Sequence, residues 1–242
     1  MLQAHLRLAS AETLIDIHCH RYRNAGHVQI LSRDTHEFFN NPRALTSDSP
    51  ESLITAAAYF SLGIHPWFID RQNIDTAFRT LESYRHHPRL IAVGECGLDK
   101  CIDTPMIRQI QVFGRQIELA ERIGKPLIVH CVRAFAELLQ LKKNLAPCQD
   151  WIVHGFAGKP ALAAQLIKHG CHISFGKAVL PTGSQAGQAL QSIPIERLFL
   201  ETDAADASID TIYAAAATIR GIEPADLRRQ IHTNFLNVFL ND

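Results

Sequence analysis

Leu14-Ile15-Asp16-Ile17-His18-Cys19-His20 is a short apolar run that closes on two histidines one residue apart. Side chains on a β-strand alternate faces, so His18 and His20 point the same way and Cys19 points the other. Two imidazoles on one face can be adjacent ligands of a single metal ion. The plainer reading is one packed histidine beside one that is merely exposed. Four further apolar runs end in a ligand-type side chain: Leu90 to Glu95, Pro126 to His130, Trp151 to His154, and Leu198 to Asp203.

Between these runs the helical period takes over. A helix is expected over 74–85. Another is expected from Thr104-Pro105, with Thr as N-cap and Pro at the first position, to a stop at Gly124. Further helices fit 134–142, 160–169 and the stretch from Pro224 onward, and further strands fit 28–31, 56–62 and 172–176. Asn40-Asn41-Pro42 and Ser47-Asp48-Ser49-Pro50 carry loop chemistry. Strands alternating with helices predict a parallel α/β architecture, and Leu90 to Glu95 reads as a strand buried on both faces. A doubly wound sheet commonly carries a Gly-rich phosphate turn at its switch point, and the chain has no G-x-G-x-x-G or P-loop. Polar groups at the C-terminal ends of many strands are what a barrel mouth requires. The expected fold is therefore α/β: a TIM-type (β/α) barrel forming one domain over residues 1–242.

Composition narrows the function classes. Of 242 residues, 47% are hydrophobic and 20% charged, ordinary for a globular protein with a sizeable core. Lys+Arg and Asp+Glu both total 24, which argues against gripping nucleic acid through a broad basic surface. The six cysteines form no C-x-x-C pair, and Met1 to Thr13 lacks a long apolar segment of the signal-peptide kind. The expectation is a cytoplasmic protein with reduced thiols, no membrane span and no obligate protein partner.

In a barrel the strand ends form one ring, so His18, His20, Glu95, His130, His154 and Asp203 can converge. Four imidazoles and two carboxylates exceed the needs of one four-coordinate ion and suit two ions sharing a bridge. Taken singly, each has a bland alternative: a satisfied core histidine, a helix N-cap or an ion-pair partner. Six at one topological position make those alternatives a poor account of the set.

These residues lie in blocks that resemble a known family. Ile15 to His20, Gly63-Ile64-His65-Pro66, Gly94 to Asp99, Val129-His130-Cys131, His154 to Gly158 and Glu201-Thr202-Asp203-Ala204 look like the successive signatures of the TatD family. That family comprises metal-dependent hydrolases of the amidohydrolase superfamily, several of them deoxyribonucleases. The resemblance implies that His18, His20 and Asp203 hold one divalent ion, that His130 and His154 hold a second, and that Glu95 bridges the two. A carboxylate has two oxygens and can bridge, whereas a neutral imidazole offers one nitrogen. Glu95 and Asp203 are the candidate catalytic residues, with Asp203 orienting or deprotonating a water. Mixed His/carboxylate ligation suits Zn²⁺, Mn²⁺ or, less well, Mg²⁺.

Outside the ligand set, His65 and Arg133 are candidates for binding a substrate phosphate. Trp67 can stack on a base or pack under the rim, and Asp99 can partner a ligand histidine. Lys100, Lys159 and Lys177 can supply local positive charge. Cys19, Cys96 and Cys131 each follow a ligand residue and read as core. The chain departs from the family at Arg21-Tyr22, at Arg133 (three residues after His130, where members have an arginine two after) and at Ala204-Ala205, where Pro-Tyr is usual. Residues 21–55 are also short for the two strand–helix units members often fit there, so a helix after the first strand is expected to be missing. The leading expectation is a metal-dependent phosphodiesterase, a deoxyribonuclease trimming single-stranded DNA from an end. An ester or amide hydrolase, such as an aminoacyl-tRNA deacylase, and a non-catalytic metal-binding barrel are the alternatives.

Overall fold

The computed structural model describes residues 12–23, 26–40 and 58–240. Its strands are β1 (Ile15–Cys19), β2 (Val28–Asp34), β3 (Ala58–Gly63), β4 (Leu90–Asp99), β5 (Leu127–Val132), β6 (Trp151–Val153), β7 (His172–Phe175) and β8 (Leu198–Leu200). All pair in parallel and in chain order. The ring closes where Asp203 N donates to His18 O at 2.9 Å and Cys19 bridges to Asp203. Asp16 ties the same seam from inside, accepting Thr202 N at 2.9 Å and Thr202 Oγ1 at 2.6 Å. The expected TIM-type barrel is present.

Helices wrap the outside: α1 (Thr35–Asn40), α2 (Ile74–Tyr84), α3 (Met106–Ile123), α4 (Phe135–Leu145), α5 (Pro160–Lys168), α6 (Gln185–Ser192), α7 (Ile209–Arg220) and α8 (Pro224–Phe239). No helix lies between β1 and β2 among the described residues, as the short connection suggested, and β2 runs on past Leu31 into α1. Asn40 ends that helix, and the remaining loop-type residues, Asn41-Pro42 and Ser47 to Pro50, fall outside the described residues. The sequence reading missed α6 and α7, although each opens on a capping serine. Ser184 accepts Gly187 N and Ser208 accepts Thr211 N. Thr104 does not cap α3; its hydroxyl goes to Asp70 at 2.6 Å, and Pro105 stands at the cap position.

Two features of the wall bear on the site. First, β4 does not stop at Glu95 but continues four residues, buried throughout, to Asp99. Gly94, inside the register shift with β5 between Val93 and Cys96, and Gly97 just after it permit this, with φ of 144° and 146°. A Cβ on Gly94 would come within 2.5 Å of Ile128 O, and one on Gly97 would overlap the His130 carbonyl. Glu95 is therefore aimed inward from mid-strand, with Asp99 beside β5 above it. Second, α3 buries two glutamines seven residues apart. Gln116 brackets Ile64, accepting its N–H at 2.7 Å and donating to its C=O at 3.1 Å. Gln109 brackets Asp99 in the same way, at 2.7 and 2.8 Å. Each amide satisfies backbone groups that no strand partner reaches at the end of β3 or β4.

Candidate metal centre

The two oxygens of Glu95 face two different groups. Oε1 lies 2.8 Å from His154 Nε2, 2.9 Å from His130 Nδ1 and 3.0 Å from His65 Nε2. Oε2 lies 3.3 Å from His18 Nε2 and 3.8 Å from His20 Nε2. Asp203 completes the second group, its Oδ1 3.2 Å from His20 Nε2 and 3.7 Å from His18 Nε2. All six sequence-predicted ligands are thus brought to one place, at the barrel's C-terminal mouth. Five of them, all but the fully buried His18, line a cavity of about 420 Å³ together with His65, Asp34 and Trp67.

Each backbone supports its ligand. His18 and His20 share a face because they alternate with Cys19, whose buried thiol donates to Ile30 O on the far side of the wall. Asp203 sits just beyond β8 with φ 52°, a left-handed conformation that aspartate tolerates better than most residues. That turn brings its carboxylate back over the closure seam. Burial works against ionisation of Asp203, but the His20 hydrogen bond and the imidazoles of His18 and His154 outweigh it and bring its pKa down to about 2. Burial likewise opposes the charge on His154, yet the carboxylates of Glu95 and Glu201 raise it well above the ordinary imidazole value.

Two histidines are oriented by carboxylates behind them. Asp99 Oδ2 is 3.1 Å from His130 Nε2, and Glu201 Oε1 is 3.4 Å from His154 Nδ1 while accepting Gly155 N at 2.6 Å. A carboxylate on the outer nitrogen holds a proton there, so that the inner nitrogen would offer its lone pair to a cation, the arrangement found behind metal-bound imidazoles. His18 adds a second sign. It is fully buried, and neither of its ring nitrogens makes a hydrogen bond. A buried imidazole without hydrogen bonds is costly, and a cation between His18, His20 and Asp203, or between His18, Glu95 and His154, would relieve it; donor atoms in each trio lie within 4.8 Å of one another. The donor set fits divalent cations.

His65 differs from the ligand histidines. Its Nδ1 accepts Trp67 N at 3.1 Å, so the ring proton is on Nε2, which donates to Glu95. His65 is a hydrogen-bond donor at the mouth. Its backbone N is held by Asp34 Oδ2 at 2.6 Å. Trp67 does not pack under the rim; it is 52% exposed, with Nε1 donating to Asp99 Oδ2 at 2.8 Å. Arg133 is exposed, with φ 54°, and is not among the described residues lining the cavity. Lys100 is paired with Glu137 at 2.7 Å. Cys19 and Cys96 are buried in the wall, whereas Cys131 reaches the cavity, with burial pushing its thiol up to about 12. Sequence reasoning missed Asp34 and Glu201, although both end or follow an apolar run, the rule that found the ligands.

A family model described as TatD related DNase matches residues 4–240. Among curated proteins, the 3'-5' RNA nuclease TATDN2 of Homo sapiens is 34% identical over 228 residues, covering 84% of this chain and 30% of that protein. YjjV of Escherichia coli strain K12, named an uncharacterized metal-dependent hydrolase, is 33% identical over 153 residues, 61% of this chain and 58% of its own. The crystal structure of YjjV matches the fold with a TM-score of 0.81 at 23% identity, over 95% of this chain and 98% of that one. The 3'-5' ssDNA/RNA exonuclease TatD of Edwardsiella piscicida is 33% identical over 168 residues, 65% of this chain and 64% of that protein. The match thus spans less than two thirds of each of these curated relatives.

Proposed function

The chain belongs to the TatD related DNase family, and from that premise we propose that it is a divalent-metal-dependent phosphodiesterase trimming single-stranded nucleic acid from an end. The observation that carries the reading is Glu95, whose two oxygens each face a separate ligand group. In this reading His18, His20 and Asp203 would hold one ion, His130 and His154 would hold the other, and Glu95 would contribute to both. When bound, two such ions lower the pKa of a shared water and neutralise charge developing on the phosphoryl oxygens.

The chain's own groups do the rest. Asp203, ionised at neutral pH, would orient the attacking water and take its proton. His65 donates its Nε2–H to Glu95, and with Glu95 engaged by the ions that donor would turn to a non-bridging phosphate oxygen. The buried floor of Glu95, His18 and Glu201 limits solvent access from below. Relatives named as nucleases of RNA and of single-stranded DNA or RNA support a nucleic-acid substrate. The choice between DNA and RNA is part of the test.

That test gives purified protein loaded with Mn²⁺, Mg²⁺ or Zn²⁺ four substrates: an end-labelled DNA oligonucleotide, an end-labelled RNA oligonucleotide, a simple phosphodiester and an aminoacyl ester. The expected result is stepwise shortening of an oligonucleotide, lost in Glu95→Ala. Hydrolysis of the aminoacyl ester alone would replace this reading with that of an ester hydrolase. Cleavage of nothing by protein that binds two metals would leave a binding barrel.

A further inference from the structure

A neutral chain that holds nucleic acid without a broad basic surface needs affinity from something other than phosphate contacts. One residue at the mouth offers it. Trp67 is 52% exposed, although a free indole would normally bury its large apolar area. Its position is fixed at three points. The main chain enters through the Pro66–Arg71 turn, Trp67 N donates to His65 Nδ1 at 3.1 Å, and the indole Nε1 donates to Asp99 Oδ2 at 2.8 Å. The ring stands edge-to-face on His65, with centroids 5.0 Å apart, and 6.1 Å from the His130 ring. Its polar edge is therefore consumed inside, and its remaining surface is presented beside the Glu95 ligand cluster.

We propose that Trp67 is the stacking platform for a base flanking the scissile phosphate of a single strand. This rests on the nuclease reading. A phosphate at the ligand cluster places its attached nucleoside one sugar away, over the rim that Trp67 forms. An indole recognises the π-face every base has, so the platform favours unpaired ends over duplex without selecting sequence. Held by Asp99, the ring pays little ordering entropy on binding. The anchor that fixes this platform is the carboxylate that orients His130, so substrate contact and ligand geometry share one residue.

The chain has two tryptophans, and Trp151 is fully buried, so a change in emission on adding substrate reports Trp67. The full-length protein, stripped of metal by chelator, is titrated with a single-stranded oligonucleotide and with the same strand made abasic at either position flanking the terminal phosphodiester. Quenching is expected with the intact strand, weaker with one abasic strand, and absent in Trp67→Phe. With metal restored, that abasic substitution should raise KM roughly 5- to 150-fold in the native chain, the range for loss of one stacked base. In Trp67→Ala the abasic penalty should fall to near one. A purely structural role for Trp67 would shift metal affinity and leave the penalty intact. An unchanged penalty, or equal quenching by the intact strand and both abasic strands, overturns the platform while leaving nuclease activity standing. Quenching without any cleavage overturns the nuclease reading and leaves the platform.

Discussion

Replacing Asp99 with asparagine changes one atom and should weaken metal binding roughly 10- to 100-fold, about 1.4 to 2.7 kcal/mol. The magnitude follows from what the carboxylate accepts. Oδ2 takes two donors, Trp67 Nε1 at 2.8 Å and His130 Nε2 at 3.1 Å, and Oδ1 takes Cys101 N at 2.7 Å. Burial alone would raise this acid, but those three hydrogen bonds hold it below the ordinary carboxylate range. Asparagine has one acceptor oxygen for both positions. With that oxygen at the shared position, the amide NH₂ confronts Cys101 N–H, leaving donors unpaired at about 1–3 kcal/mol. With the nitrogen there, Trp67 N–H has no acceptor, and His130 can accept only by moving its proton to Nδ1, the atom that faces Glu95. Either way the ligand lone pair is less available. Calorimetric titration of Zn²⁺ or Mn²⁺ into both proteins measures the effect, with circular dichroism to show that the fold persists. An affinity within twofold of the native value in a folded Asp99→Asn protein would refute the assignment of Asp99 as the group that orients a ligand.

Other perturbations test other parts of the site. His154 is protonated well above the ordinary imidazole range by Glu95 and Glu201, so metal uptake near neutral pH should release at least one proton and tighten as pH rises. Calorimetry in buffers of different ionisation enthalpy measures the release, and a count of zero would contradict the ligand role. Burial raises both Asp16 and Asp34 to about 7. The folded state then binds those protons more tightly than the unfolded chain. Their contribution to stability is full below pH about 4 and is lost as pH climbs through about 7, up to about 4 kcal/mol for each. Urea midpoints should therefore fall between pH 5 and 8, and less steeply in Asp16→Asn; identical slopes would show that Asp16 does not titrate in this range. Arg23 donates to the carbonyls of Ala205 and Ala207, tethering the loop just after Asp203. Arg23→Ala should weaken the proposed ion at His18, His20 and Asp203 by several-fold and spare the one at His130 and His154. Equal losses in a two-site titration would count against that tether.

The barrel and the convergence of the six candidate ligands were legible because both obey local rules. Apolar runs ending in His or a carboxylate mark strand ends, and parallel α/β order brings those ends together. What could not be read depends on contacts distant in sequence or on strand irregularity. Glu95 looked terminal because an apolar run stopped there, whereas two glycines with positive φ carry β4 on to Asp99. Arg133 was a candidate for binding phosphate as an arginine near His130, and the structure leaves it exposed, with φ 54°, and outside the described residues that line the cavity. Glu201 was passed over because its role exists only once β6 and β8 stand on either side of β7, setting it against His154.

The two buried glutamines of α3 give that helix the function of a gauge block. Gln116 sets the height of the turn carrying His65, and Gln109 sets that of Asp99, with two helical turns of fixed length between them. Any axial creep of α3 carries both fittings together, so the spacing between the His65 donor and the carboxylate behind His130 survives thermal motion that shifts the helix as a whole. A single-residue insertion or deletion between positions 109 and 116 would instead rotate one amide about 100° off its strand. The site would then fail far from any residue that touches metal or substrate.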